Sequence, residues 1–144
     1  MAFRDKKGVQ SKAGSLEGVR PDLLAALKAG SEDLQIACAE TERIARNLGT
    51  AMIDIGRALD LMGIAITRCQ LGLFGYSPKK KSVKPAEAVA PKLANAIAEA
   101  LSEGCLPCAS AWEIAVNQGI SRMEVSSACE AHGIKIKPCQ LGAF

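Results

Sequence analysis

Six cysteines and one histidine are the side chains of this 144-residue chain best suited to binding a metal ion. Cys105 and Cys108 have the spacing of half a zinc or iron–sulfur site, and Cys129, His132 and Cys139 are placed to complete it. No second Cys-x-x-Cys pair exists. We therefore predict no metal and no cofactor, and we expect reduced thiols, several of them simply buried. A Cys-ligated metal-binding or redox-sensing protein is the less favoured alternative.

The sequence contains few of the residue patterns that enzymes use for catalysis. The chain has a single histidine, no glycine-rich phosphate loop and no motif that pairs a nucleophile with its base. His132 precedes Gly133 at the predicted end of a helix, where an imidazole interacts favourably with the helix dipole. We predict that the protein is not an enzyme.

The chain repeats itself at an offset of 70 residues. Gly63–Phe74 returns as Gly133–Phe144, and 15 of 37 positions are identical between Cys38–Phe74 and Cys108–Phe144. A repeat of this kind predicts two copies of one structural unit. The predicted organisation is a disordered basic arm over residues 1–20, a first repeat over 21–74, a lysine- and proline-rich linker over 75–90 and a second repeat over 91–144.

Each repeat is predicted to hold three helices and one short strand. Pro21 and Pro91 suit the first turn of a helix, and Gly30 and Gly104 suit its end. The predicted helices cover residues 21–29, 37–48 and 52–62 in the first repeat and 92–103, 108–118 and 122–132 in the second. Strict alternation predicts half-buried strands over 64–67 and 134–137, and it permits antiparallel pairing of the two strands with one another.

Composition and charge favour a small helical protein with basic flexible parts. Apolar residues make up 49% of the chain and aromatic residues only 3%, so the core must be aliphatic. No segment approaches the roughly 20 apolar residues of a membrane span, and we expect a soluble, cytoplasmic protein with no membrane partner. Residues 1–20 carry a charge of +3 and residues 75–86 carry +4, which leaves −4 for the remainder.

Small and branched apolar residues recur at the spacing of two helices packed around a tight turn. Ala45 lies where the helices would cross, and Gly49 suits the left-handed backbone of the turn. The full sets are Ile44, Ala45, Gly49, Ile55 and Ala58, and then Ile114, Ala115, Gly119, Val125 and Ala128. This pattern resembles the helix-turn-helix superfamily of bacterial transcriptional regulators, with the strand as a reduced wing. The predicted fold class is mainly α with short β-strands, in two tandem tri-helical units related by pseudo-two-fold symmetry.

The resemblance implies that the third helix of each repeat lies in the major groove of DNA. Its outward positions are Ala51, Met52, Gly56, Arg57 and Asp60, and then Ser121, Arg122, Ser126, Ser127 and Glu130. We predict a DNA-binding transcriptional regulator, either a monomer with internal pseudo-symmetry or a homodimer. The expected DNA contacts are Met52, Arg57, Ser121, Arg122, Ser126, Ser127, Lys135, Lys137, Lys79, Lys80 and Lys81.

A protein-interaction or scaffold module is the main alternative. DNA affinity rests heavily on the neutralisation of phosphates, and the repeats are net acidic, so the helix pairs would serve only for packing. The repeated Cys-Gln-Leu-Gly-x-Phe is interpreted as a turn that closes the strand. In that turn Gly72 and Gly142 would reverse the chain, and the residues returning to the core would be Leu71, Phe74, Leu141 and Phe144.

Overall fold

The computed structural model describes residues 18–77 and 80–144. Most of the predicted arm, and Lys79 of the linker, therefore lie outside the described residues. The described chain is mainly helical with a small two-stranded sheet, which confirms the coarse fold class. In chain order the elements are α1 (Pro21–Gly30), β1 (Gln35–Ala37), α2 (Cys38–Leu48), α3 (Met52–Met62), β2 (Ala65–Thr67), α4 (Pro91–Ala100), α5 (Cys108–Gln118) and α6 (Arg122–Ala131).

The helices of the second repeat begin 70 residues after those of the first, as the sequence offset predicts. Pro21 and Pro91 occupy the first turns of α1 and α4, where the missing N–H would have no helical partner. Gly49 and Gly119 end α2 and α5 with φ of 63° and 68°. Glycine enters this left-handed region without a steric penalty. The tight turn between the second and third helices is therefore encoded locally in both repeats.

Helix α4 is shorter than predicted because a turn follows it. It ends at Ala100, whereas the sequence pattern extends the helix to residue 103. Ser102 N donates to Cys105 O at 2.7 Å, and Cys105 N donates to Ser102 O at 3.0 Å. Glu103 and Gly104 between them have φ of 52° and 81°, the left-handed values of a two-residue reversing turn. Helical periodicity alone cannot reveal this turn.

The two predicted strands, residues 64–67 and 134–137, do not pair with one another in antiparallel fashion, so that prediction is wrong. Strand β2 pairs with β1, which the sequence pattern does not predict, and the pair is parallel with Ile36 opposite Ile66. The second repeat contains the same pairing as a single parallel bridge between Leu106 and Ile136. A parallel pair needs a long connection, and α2 with α3 supplies it. Each strand therefore pairs within its own repeat, with the extended residues before the second helix.

The described chain forms two compact units whose limits differ from those of the sequence repeats. Unit 1 comprises the residues up to Arg68 together with Leu141–Ala143, and unit 2 comprises Cys69–Gln140 together with Phe144. Each unit thus contains the three helices of one repeat. Each also contains residues of the Cys-Gln-Leu-Gly-x-Phe segment that belongs to the other repeat.

The cores of both units are aliphatic, as the composition requires. Leu27 and Ile55 are fully buried in unit 1, and Leu106 and Val125 are fully buried in unit 2. Trp112 packs half-buried against the core of unit 2. Burial of one leucine or isoleucine side chain contributes about 1.5–3 kcal/mol. Close packing of such side chains positions the third helices, α3 and α6.

Candidate functional site

A capping box fixes the amino end of α6, as the sequence predicts. The Ser121 hydroxyl oxygen accepts from Glu124 N at 3.0 Å, and the Glu124 carboxylate accepts from Ser121 N at 3.1 Å. The hydroxyl thereby satisfies an N–H group that the first turn of a helix leaves unpaired. Ser121 is exposed, but its oxygen is engaged at the helix end. It is therefore a weak candidate for reading a base.

Arg122, the predicted reading residue of α6, makes its contacts inside unit 2. Its guanidinium carbon lies 3.7 Å from the centre of the Trp112 ring, a cation–π distance. Its Nη1 donates to Gln70 Oε1 at 2.8 Å. Sequence reasoning identifies neither partner, because both are distant from the arginine along the chain. The only available signal is that Gln70 belongs to the repeated segment. Arg122 therefore connects α6 to α5 and to that segment.

Ser126 and Ser127 do not form the outward-facing pair that the sequence predicts. Ser126 is 0% exposed, and its hydroxyl has no hydrogen-bond partner within the part of the chain that the structure describes. Ser127 is half-buried, and its carbonyl oxygen accepts from Ala86 N at 3.0 Å. The prediction fails for Ser126 because the helix turns this position into the core. Ser126 has no surface with which to contact DNA.

The linker packs on α6 and is not a free spacer. We call its packed part, residues 75–77 with 80–86, the strap. Gly72 O accepts from Ser82 N at 2.8 Å and from Val83 N at 3.0 Å, and Val83 is buried. Together with the bond from Ala86 to Ser127, these contacts hold the strap along the helix. The third helix of unit 2 is therefore covered by its own chain.

The lysines predicted to grip phosphates have different surroundings. Lys81 of the strap forms an ion pair with Glu130 of α6 at 2.7 Å. The other lysines of the predicted set, Lys80, Lys135 and Lys137, are exposed as Lys81 is, and Lys79 lies outside the described residues. Lys135 and Lys137 lie on either side of Ile136, which is buried. These two strand lysines therefore form a small basic edge of unit 2.

The third helix of unit 1 has an outer face with more acid than base. Arg57 is 73% exposed, and its Nη1 lies 3.4 Å from Asp54 Oδ1. Asp60 is exposed on the same helix, whereas Met52 is half-buried and Gly56 is buried. The one arginine of this face is paired with a carboxylate, which weakens its attraction to DNA phosphates. Of the two DNA contacts predicted on α3, Met52 and Arg57, Arg57 is the exposed one.

Gly56 is buried because the carbonyl group of Leu141 lies against it. A methyl group at position 56 would lie 1.8 Å from Leu141 O, far inside any allowed contact. A methyl group on Gly142 would lie 3.1 Å from Ile53 Cδ1. Leu141 itself is 4% exposed. Ile53 and Gly56 thus form a place on α3 that holds a Leu-Gly segment by close backbone contact, and we call it the Leu-Gly seat.

Helix α6 holds the first copy of the segment at a corresponding position. Gly72 and Met123 are the counterparts of Gly142 and Ile53 at the 70-residue offset. A methyl group on Gly72 would lie 2.4 Å from Met123 Sδ, and Leu71 is 0% exposed. The left-handed φ of Gly72 and Gly142, 76° and 83°, confirms the predicted turn. Both third helices therefore contact a Leu-Gly turn.

Each copy of Cys-Gln-Leu-Gly-x-Phe closes on itself through one backbone hydrogen bond. Cys69 N donates to Phe74 O at 3.1 Å, and Cys139 N donates to Phe144 O at 2.8 Å. The two phenylalanine rings meet edge to face, with centres 5.7 Å apart, a favourable arrangement of ring quadrupoles. Phe144 is 39% exposed, so its predicted return into the core is only partial. The segment is a closed loop and not an extended tail.

The cysteines provide no preformed metal site. None of the six forms a disulfide bond, and no three His, Cys, Asp or Glu side chains of residues 18–77 and 80–144 are grouped as ligands. Burial raises the pKa of Cys129 to about 11, with a smaller contribution from Glu130. Burial likewise raises the pKa of the Cys69 thiol. The thiolate is the reactive and ligating form, so these two thiols are unreactive at neutral pH.

Comparison with known protein families, with curated proteins and with solved structures gives no match for this chain. Among the described residues, no helix has both the length and the apolar character needed to cross a membrane. Function is therefore inferred from the contacts within the two units.

Proposed function

We propose that this chain is a protein-interaction module whose third helices, α3 and α6, bind short turns that contain Leu-Gly. The observation that carries the proposal is that both helices already hold such a turn: Leu141 lies against Gly56, and Gly72 lies against Met123. A DNA-reading helix needs an unobstructed face to enter the major groove. A helix face that binds a Leu-Gly turn of its own chain can bind a similar turn of another protein.

Backbone approach and one apolar anchor are the elements of this recognition. The absence of a side chain at Gly56 admits the carbonyl group of the bound turn, and the leucine of the turn is buried. Burial of one leucine contributes about 1.5–3 kcal/mol. A free peptide must also lose translational freedom on binding, which costs several kcal/mol. We therefore expect weak binding of isolated peptides and stronger binding of turns that a folded partner holds in place.

The charge of the third helices supports the same proposal. The exposed acids on α3 are Asp54 and Asp60, and Glu124 is exposed on α6. Arg57 lies beside Asp54, and Arg122 lies on the Trp112 ring. DNA binding gains most of its affinity from positive charges that displace counterions from phosphates. Protein ligands do not need such a surface.

A rescue experiment tests the proposal. Leu141→Ala removes the anchor from the Leu-Gly seat and should lower the melting temperature. A synthetic Ser-Gln-Leu-Gly-Ala-Phe peptide, the sequence of residues 139–144 with serine in place of cysteine, should then raise that temperature, because a ligand stabilises the state that binds it. The same peptide with alanine in place of leucine is the control. The double variant Gly56→Ala with Leu141→Ala should not respond, since the added methyl group blocks the seat. Absence of rescue up to about 1 mM peptide, the effective concentration that a tethered segment reaches, would contradict the proposal.

The DNA-binding regulator indicated by the sequence is the second candidate. The specific observation in its favour is the basic edge formed by Lys135 and Lys137, both exposed on the segment that follows α6. In that case the edge, and not the helix face, would carry the phosphate contacts.

Fluorescence anisotropy with a mixed-sequence DNA duplex at about 50 mM salt separates the two candidates. Binding that falls steeply with salt, and weakens in Lys135→Ala with Lys137→Ala and in Arg57→Ala with Arg122→Ala, would support DNA binding. No binding at low salt would favour the interaction module. Lys28→Ala with Lys92→Ala, which removes two exposed lysines elsewhere, is the charge-matched control.

A further inference from the structure

The Leu-Gly seat of unit 1 is filled by residues that lie far from it along the chain. Helix α3 carries Ile53 and Gly56, and the bound turn is Leu141–Ala143. The residues on both sides of this turn, Gln140 and Phe144, belong to unit 2. The seat and its occupant are therefore distant in sequence, although both belong to unit 1.

The bound turn belongs to a loop whose two ends are joined by a backbone hydrogen bond. Cys139 N donates to Phe144 O at 2.8 Å, which closes the loop from which Leu141–Ala143 protrudes. Gln140 Nε2 lies 3.5 Å from Cys108 Sγ of α5, which adds a contact at the base of the loop. A ligand that is already folded loses less conformational entropy on binding. The closed loop of any copy of the chain therefore presents the turn in a shape that is ready to bind.

We propose that a second copy of this chain supplies Leu141–Ala143 to the Leu-Gly seat, which gives a dimer by exchange of the turn. The inference rests on the proposed function, because it uses the same seat. The contacts with Gly56 and Ile53 are the same whichever copy provides the turn, so exchange requires no new complementary surface. The chain's own turn competes with the turn of a second copy for the same seat, at an effective concentration in the millimolar range. The dimer fraction should therefore rise as the protein concentration approaches that range.

Photocrosslinking between labelled copies tests this inference. Full-length chains of natural isotope composition carry p-benzoylphenylalanine in place of Ile53 and are mixed with ¹⁵N-labelled unmodified chains. After irradiation, mass spectrometry should find the crosslinker of unlabelled chains attached to residues 141–143 of labelled chains. This fraction should increase with concentration over about 10 µM to 1 mM, the range below and up to the effective concentration of a tethered turn. Gly56→Ala in the crosslinker chain should abolish it, and Gly18→Ala, which adds a methyl group in open space, should not.

Crosslinks confined to single chains at every concentration would overturn the inference, and so would interchain crosslinks that persist in Gly56→Ala. The primary result is read from chains that contain Gly56, so it stands even if Gly56→Ala fails to fold. Peptide rescue of Leu141→Ala without interchain crosslinks would leave the proposed function intact and remove the exchange. Interchain crosslinks to residues 141–143 without peptide rescue would support the exchange and contradict the proposed binding of separate Leu-Gly peptides.

Discussion

The carbonyl oxygen of Leu141 lies so close to Gly56 that a methyl group at position 56 would be 1.8 Å away from it. Gly56 is inside helix α3, so close approach, and not a left-handed backbone, explains the glycine. Glycine in a helix interior destabilises a protein by roughly 0.5–1 kcal/mol relative to alanine. The bound Leu-Gly turn is the feature that offsets this loss.

Gly56→Ala should therefore destabilise the protein although alanine is the better helix former. We expect the free energy of unfolding to fall by about 1–3 kcal/mol, the usual effect of overpacking a buried site. Gly18→Ala is the control, with an expected change within about 0.5 kcal/mol. Urea unfolding followed by circular dichroism measures both. A more stable Gly56→Ala protein would show that Leu141 does not occupy the seat in solution.

Ser121→Ala should remove the capping box of α6 and lower the free energy of unfolding by about 1 kcal/mol. The matching position of the first repeat provides the reverse experiment. Helix α3 starts after Ala51, which makes no side-chain cap. Ala51→Ser should add one and raise stability by about 0.5–1 kcal/mol. Chemical denaturation measures the free energy of unfolding of both variants. If neither substitution changes it, the capping geometry is contradicted.

Arg122→Ala should lower stability by about 1–2 kcal/mol, because it removes both the stacking on Trp112 and the hydrogen bond to Gln70. Arg57→Ala is the matched control on the other third helix, and its exposed ion pair predicts a change within about 0.5 kcal/mol. The comparison also bears on function, since a DNA reader would be expected to leave both arginines available. Tryptophan fluorescence of the single tryptophan should report the loss of the Arg122 contact.

The buried Cys129 thiol should make the protein less stable at alkaline pH. Its pKa of about 11 in the folded protein exceeds that of an exposed thiol, so the unfolded chain loses its proton first as the pH rises. Stability from the protonated thiol is complete below about pH 8 and decreases between about pH 9 and 11, by up to roughly 3 kcal/mol in all. Cys129→Ala should be less stable than the parent at pH 7, and that difference should shrink towards pH 11. A difference independent of pH would contradict the assignment.

Leu34 has a left-handed backbone, and glycine, Gly104, occupies the same position in the second repeat. Its φ is 59° and its side chain is 64% exposed, so little packing offsets the roughly 1–2 kcal/mol cost of this backbone. Leu34→Gly should raise stability by about 0.5 kcal/mol, after the entropy cost of glycine. Gly104→Leu should lower it by about 1 kcal/mol. Thermal unfolding of both variants checks the opposite signs.

The helices are predictable from the sequence because their signals are local. Pro21 in a first turn, Gly49 at a helix end and Ser121 with Glu124 each act within one turn of the chain. Strand β1 has no such signal, since three residues are too few to show alternation. Its partner is set by the fold that brings Ile36 beside Ile66.

The candidate site is less predictable because its contacts are remote in sequence. Composition identifies residues 75–90 as a solvated linker, but Val83 is buried and Ala86 bonds to Ser127 of α6. Those contacts depend on how the strap returns to the helix and not on local propensity. Ser126 illustrates the same limit. The sequence shows two adjacent serines on one helix, but only the structure shows that Ser126 is buried in the core while Ser127 is half-buried.

Unit 1 is incomplete until Leu141–Ala143 has been synthesised, roughly 70 residues after Arg68. At about 5–20 residues per second, translation of that stretch takes roughly 4–15 s. Helices α1 to α3 emerge from the ribosome long before their last piece, and the leucine-sized gap beside Gly56 stays open during this interval.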